Sequence, residues 1–243
     1  MKKVLIIDAD SMIWIGCHNK KNTIPKTLDE CKESIDGLLK NIMGATFGTH
    51  YILCITVGRS FRYEIYPEYK GNRKYTDKSE HFDRIKEYLI IKYKAYYQNG
   101  LEADDVVNIL HKRIENSFIA SADKDVLLLE GKNFDYRHFK WIKTTKEESE
   151  EAFWSDMVSG QVGDNIKGIP GKGKAFVEKL FEGGDGIITN QMRVFREYLN
   201  HFGENKGIEE FYKNYKSLKI VDDWELKDLP IPIEYKYENN ENV

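Results

Sequence analysis

Between Gly100 and Leu129 the chain carries five carboxylates in two tight groups. Glu102, Asp104 and Asp105 stand in G-L-E-A-D-D-V-V-N-I-L, and Asp123 and Asp125 in F-I-A-S-A-D-K-D-V-L-L-L. Each group is flanked by apolar residues, and acids in such a setting need a partner. No matching run of Lys or Arg lies in the same segments, so the expected counter-charge is a divalent cation. Asp and Glu without His or Cys suit Mg2+ or Mn2+ better than zinc. Two such ions about 4 Å apart can neutralise a phosphate, make hydroxide near neutral pH and stabilise a leaving oxygen. Each acid also has a structural reading: Asp104 and Asp105 complement a helix dipole, and Asp123 and Asp125 cap the turn that follows. Asp8 is harder to explain that way, because a lone acid after V-L-I-I costs burial unless something binds it.

The elements that must position these acids follow from apolar periodicity. Val4 to Ile7 is a continuous apolar run, the mark of a buried parallel strand. Thr27 to Glu30 is a capping box opening a helix with Ile35, Leu38, Leu39, Ile42 and Met43 on one side. Tyr51 to Val57 is expected as the second strand, and Ser79 to Tyr97 has a helical but unusually aromatic and charged pattern. Asp104 to Ile114 forms a helix with Glu102, Asp104 and Asp105 at its N-terminus, and Ser117 to Ala120 a third strand ending before Asp123. Sites in open parallel α/β sheets form at the carboxyl ends of strands, which brings Asp8, the Glu102 group and the Asp123 pair to one edge. Thr145 to Glu148 is a second capping box. Helices follow at Ala175 to Phe181, about Asn190 to Phe202 and Ile208 to Leu218, before a polar tail from Glu238 to Val243.

Composition narrows the partners. The 243 residues are 41% hydrophobic and 13% aromatic, enough for a full core, and the net charge of −3 gives no global basic field. Nucleic-acid binding would therefore come from local patches. No apolar run approaches the roughly 20 residues of a spanning helix, and the Met-Lys-Lys start leads directly into a strand, so the expectation is an intracellular, cytoplasmic protein with no membrane role. The odd number of cysteines, 3, argues against a disulfide framework. The scattered histidines offer neither a zinc motif nor a triad.

Two basic patches stand out. Arg59, Arg62, Lys70, Arg73 and Lys74 interleave with Phe61, Tyr63, Tyr66, Tyr69 and Tyr75, a composition suited to stacking unpaired bases and tracking phosphates, or to a plain solvated face. Gly168 to Lys174 matches G-x-x-x-x-G-K, but Ala175 follows where a P-loop needs Ser or Thr, and no clear strand precedes it. The better reading is a turn between short helices. There Gly168, Gly171 and Gly173 let backbone N–H groups approach a phosphate, and Lys167, Lys172 and Lys174 add charge. Such a hairpin grips a duplex without reading its sequence.

In order along the chain, I-I-D8, S-F-R62 with Y-P-E-Y-K-G-N-R73, G-L-E-A-D-D105, S-A-D-K-D125 and G-D-N-I-K-G-I-P-G-K-G resemble the 5′ nuclease family of flap endonucleases and 5′–3′ exonucleases, most closely its compact bacteriophage members. The resemblance implies an α/β fold: a PIN-like parallel twisted sheet flanked by helices, with a helix-three-turn-helix subdomain. It places a nuclease core at 1–145 with a helical arch at about 72–98, and a helical region at 146–243 with the helix-three-turn-helix at about 160–182. It makes Asp8, Glu102, Asp104, Asp105, Asp123, Asp125 and Asp164 the ligands of two Mg2+ ions, with Mn2+ as substitute and a K+ at the helix-three-turn-helix. Lys70 and Arg73 would act on the scissile phosphate and Tyr69 would stack. The implied partner is DNA with a 5′ flap, nick or end, extending to RNA–DNA hybrids, bound by a monomer encoded by a phage in a bacterial host. Two departures stand against the pattern: Ile55 and Gln161 occupy positions where the family commonly has acids. They favour a second reading, a DNA-junction binding protein with weak or lost catalysis. A third, a toxin-type single-stranded RNA nuclease, leaves the glycine-lysine hairpin unexplained.

Overall fold

The computed structural model describes residues 2–18, 25–75, 79–182 and 187–237. It divides into two compact units, Met1–Gly58 with Lys78–Lys143 and Val221–Val243, and Arg59–Asp77 with Thr144–Ile220. This differs from the linear partition near residue 145. The basic aromatic loop belongs with the helical unit, and the C-terminal segment returns to the sheet unit. The polar tail from Glu238 lies outside the described residues.

In the sheet unit β1 (Val4–Asp8) is central. It runs parallel to β2 (His50–Cys54), with Ile6 opposite Ile52, and parallel to β3 (Ser117–Ser121), with Ile6 opposite Ile119. β4 (Gly131–Asp135) continues the parallel set beside β3, β5 (Lys140–Thr144) lies beyond it, and a two-residue strand, Ile233–Glu234, closes the far edge antiparallel to β2. Every residue of β1 is buried, as a strand covered on both faces must be.

α1 (Ala9–Cys17) begins directly at the carboxyl end of β1, and α2 (Leu28–Thr46) opens with the Thr27–Glu30 capping box expected from sequence. β2 is three residues shorter at its end than the apolar run suggested. Its partner β1 ends at Asp8, opposite Cys54, and Ile55 instead donates its N–H to Tyr96 O at 3.0 Å. α3 (Phe82–Tyr93) buries Ile85 and Leu89 in the sheet unit's core, so this half of the segment expected as an arch is an anchored core helix. Outside that helix the expected arch comprises 72–81 and 94–98, of which 76–78 lie outside the described residues. α4 (Ala103–Arg113) places Glu102, Asp104 and Asp105 at its start. All three cysteines are buried free thiols.

The helical unit packs α5 (Lys146–Ser159), opened by the Thr145–Glu148 capping box, against α7 (Ile187–Phe202) and α8 (Glu204–Leu218). Trp154, Met157, Val158, Val194, Tyr198 and Phe211 form its core. Tyr198 Oη donates to Met157 O at 2.6 Å and accepts from Asn214 Nδ2 at 2.7 Å, so this buried hydroxyl is fully used. α8 starts one turn earlier than expected, because Gly207 lets the helix approach α7: a Cβ there would stand 2.8 Å from Leu199 Cα. Between α5 and α6 (Lys174–Phe181) lies a small antiparallel pair, β6 (Gly160–Gln161) and β7 (Ile166–Lys167). Gly160 and Gly168 make it possible, since a Cβ on Gly168 would meet Val158 O at 2.2 Å and Gly160 N at 2.3 Å. Gly168→Ala is therefore expected to open the hairpin and destabilise the helical unit, read as a melting temperature lowered by several degrees.

Candidate functional site

Asp8 sits at the end of β1 and caps α1, and only 4% of it is exposed. Its Oδ1 accepts from Asp10 N at 3.2 Å, and its Oδ2 takes hydroxyl protons from Ser11 at 2.8 Å and Ser121 at 2.7 Å. Tyr136 Oη donates to Asp8 O at 2.7 Å, tying the strand end to the turn after β4. Burial pushes the Asp8 carboxyl up to about 6, the charges of Asp10 and Asp123 push the same way, and the two serine hydroxyls oppose them. Asp10 and Asp123 are thus each close enough to Asp8 to repel its charge.

Among the described residues no three His, Cys, Asp or Glu side chains form a ready-made metal cage. Mg2+ requires none, because it keeps several waters and binds through one or two carboxylates. The all-oxygen donor set around Asp8 fits such an ion, and a bound cation would relieve the repulsion that raises its pKa. Sequence reading missed Asp10 and the positioning hydroxyls of Ser11 and Ser121; the D-A-D spacing was the available signal for the first.

The raised pKa has a sign that can be checked. An acid at about 6 when folded and near 3.8 otherwise costs the folded state about 3 kcal/mol once it is ionised. Without metal, this contribution to stability is fully present below pH ~4 and is lost as pH rises through about 6. Melting temperatures in EDTA between pH 4.5 and 7.5 should show the loss for wild type and not for Asp8→Asn. In Mg2+ the order reverses, because protonation below about pH 6 competes with the ion.

The other expected ligands of the sheet unit divide. Asp123, exposed after β3, caps the one-turn helix Lys124–Leu127 by accepting Asp125 N at 2.9 Å, and Ser121 Oγ accepts from Asp123 N, so one serine touches both Asp8 and the Asp123 backbone. Asp125 is half-buried beside Lys124. Asp104 Oδ1 accepts from Asp105 N at 2.8 Å. Glu102 is 8% exposed. Asp105 is fully buried, and its two oxygens accept from Glu102 N at 3.1 Å and Val221 N at 2.9 Å. Through these bonds Asp105 caps the start of α4 and fastens the returning C-terminal segment. Ile55, in the core of the same unit, is fully buried and offers no oxygen.

In the helical unit Asp164 faces cations and a phenol. Its carboxylate meets Arg73 Nη2 at 2.7 Å, Tyr69 Oη at 3.1 Å and Lys70 Nζ at 3.8 Å. Arg73 Nε also donates to Gly163 O at 3.0 Å. Asp164 thus gathers the two cations expected to act on phosphate. Tyr69 is 2% exposed and packs edge-on to Tyr63, so it offers no face to a base. Arg62 is likewise buried, its Nε donating to Ser217 O at 2.9 Å and its Nη2 to Lys219 O at 2.8 Å. It serves the carbonyl end of α8 rather than DNA. Arg59 is exposed over the Tyr63 ring, while the side chain of Lys74 lies outside those described. Around the hairpin, Lys167 and Lys174 are exposed, as are Gly171 with φ of 76° and Gly173 at the start of α6. Lys172 is held by Glu197 and stands 3.9 Å over the Phe176 ring. Gln161 pairs with Ile166 in the β6–β7 hairpin.

A parallel sheet with an acid at the carboxyl end of its central strand, joined in one chain to a glycine-tightened hairpin in a helical unit, defines a class. The chain belongs to the family of 5′–3′ exonuclease N-terminal, resolvase-like domains, which matches residues 3–158. It is 26% identical over 278 residues to DNA polymerase I of Geobacillus stearothermophilus, covering 99% of this chain and 30% of that one. The chain thus spans under a third of the polymerases it matches. It is also 26% identical over 241 residues to the 5′–3′ exonuclease of Mycoplasmopsis pulmonis, covering 90% of this chain and 72% of that one. Among solved structures, the bacteriophage T5 flap endonuclease in complex with DNA and metal ions superposes with a TM-score of 0.66 at 18% identity, covering 90% and 89% of the two chains. At that identity the likeness is one of fold. Among the described residues no helix is long and apolar enough to cross a membrane.

Proposed function

We propose that the chain is a divalent-metal-dependent 5′ nuclease that hydrolyses phosphodiester bonds near the 5′ ends of branched or duplex DNA, RNA-primed ends included. The observation that carries this reading is Asp8, buried at the carboxyl end of the central strand, oriented by Ser11 and Ser121 and adjoined by further acids. Asp8, Glu102, Asp104, Asp123 and Asp125 are the residues to hold Mg2+. The ion, when bound, would lower the pKa of its water and neutralise charge on the phosphate. Ser121 orients Asp8 and takes the Asp123 N–H, which keeps those two acids in register. Lys70 and Arg73 carry charge for the phosphate and are held ready by Asp164. Exposed Lys167 and Lys174, with the hairpin glycines, are the duplex contacts.

A labelled 5′ flap, in all-DNA and RNA-primed forms, tests the proposal. Cleavage should rise with Mg2+ in the millimolar range and vanish in EDTA. Tight binding in Ca2+ with no cleavage in either Mg2+ or Mn2+ would instead support a junction-binding protein, the reading that the apolar Ile55 favours.

A further inference from the structure

Asp10 lies in the first turn of α1, with its side chain 31% exposed, and its Oδ1 accepts from Thr56 N at 3.1 Å. Thr56 follows the buried Ile55 just past β2, and its Oγ1 accepts from Ala103 N, the first residue of α4, at 2.9 Å. One threonine therefore fixes Asp10 against the ends of both β2 and α4. Asp10 thus stands beyond β2 as Asp8 stands beyond β1, on a side where Ile55 supplies no donor.

A cation already stands there. Lys86 Nζ, from α3, lies 3.9 Å from the same Asp10 oxygen and donates to Thr56 O, with its side chain 20% exposed. At 3.9 Å the ammonium and carboxylate are an ion pair without a hydrogen bond between them. Lys86 is thus anchored to a backbone carbonyl while only facing Asp10, an arrangement that leaves the carboxylate open to a second cation. A divalent ion arriving near Asp10 would have to displace or repel that ammonium, whose charge acts over the same few ångströms.

We propose that Asp10 is a cation-facing carboxylate of the Asp8 site and that Lys86 is its built-in counter-charge, yielded when a divalent ion enters. The proposal rests on the metal-binding reading of Asp8. It makes Lys86 a brake on metal affinity, so removing a positive charge from the protein's interior should tighten cation binding specifically here.

The test is calorimetric titration of the full chain with Mn2+ alone, without nucleic acid, on wild type and on D8N, D10N and K86M. D10N keeps an oxygen for the Thr56 N–H, and K86M keeps an apolar stem beside Phe82, above whose ring the ammonium stands at 5.1 Å. Matching melting curves establish that both variants are folded. D10N should weaken Mn2+ binding about tenfold, and K86M should tighten it about tenfold. D10N with wild-type affinity, or K86M binding no more tightly, overturns the proposal. D8N separates the two levels: weaker binding in D8N with no change in D10N sinks only the role of Asp10, whereas no change in either sinks the metal site itself.

Discussion

Asp8→Asn is expected to reduce Mg2+-dependent cleavage of a 5′ flap at least about a thousandfold, a loss of roughly 4 kcal/mol of transition-state stabilisation. The substitution is nearly isosteric. Asn caps a helix as well as Asp does, its oxygen can still accept the Asp10 N–H, and the hydroxyls of Ser11 and Ser121 can rotate to accept from its NH2. The fold should therefore survive, and without metal at pH 7.5 the variant should melt higher than wild type, because the buried charge is gone. Flap binding in Ca2+ should change little, since the duplex contacts proposed for Lys167 and Lys174 lie in the helical unit. Single-turnover rates across a Mg2+ titration, paired with gel shifts, measure both. Cleavage within tenfold of wild type at saturating Mg2+ would remove Asp8 from the chemistry.

Arg62→Ala is expected to destabilise the helical unit by about 3 kcal/mol or more without altering the chemistry of a folded molecule. The buried guanidinium satisfies two carbonyls at the C-terminal end of α8 and lies 4.9 Å from the Phe61 ring. Hydrogen bonds involving a charged group contribute about 1.5–3 kcal/mol each, and truncation leaves the buried carbonyls unsatisfied. Arg62→Lys should recover little, since a compact ammonium cannot span two acceptors as a planar fork does. Urea midpoints with unchanged slopes read the effect. Unchanged stability with weakened DNA binding would return Arg62 to the phosphate contacts that the composition of its loop suggested.

These two residues mark where sequence is sufficient and where it is not. Asp8 was legible because the evidence for it is local: an apolar run long enough for a buried strand, then an acid. The capping boxes at Thr27 and Thr145 were legible on the same ground, since side chain and cap lie within a few residues of one another, whereas the β6–β7 pair stood where a turn between helices was expected. Arg62 and Tyr69 read as a basic aromatic surface because their neighbours in sequence are basic and aromatic. Their burial is decided by Ser217, Lys219 and Asp164, which approach only after α8 and the β6–β7 hairpin have packed. Asp105 reads like its neighbour Asp104, yet it also accepts the backbone N–H of Val221, 116 residues on. Asp10 is singled out only in the fold, where Thr56 and Lys86 face it. The sequence by itself determined the family, the three central strands, most of the helices and the acids at the strand ends, because strand and cap chemistry act over short spans. Only the tertiary structure decided which charges serve the fold and which remain available to a cation or a phosphate, because desolvation and pairing are set by residues far apart in the chain.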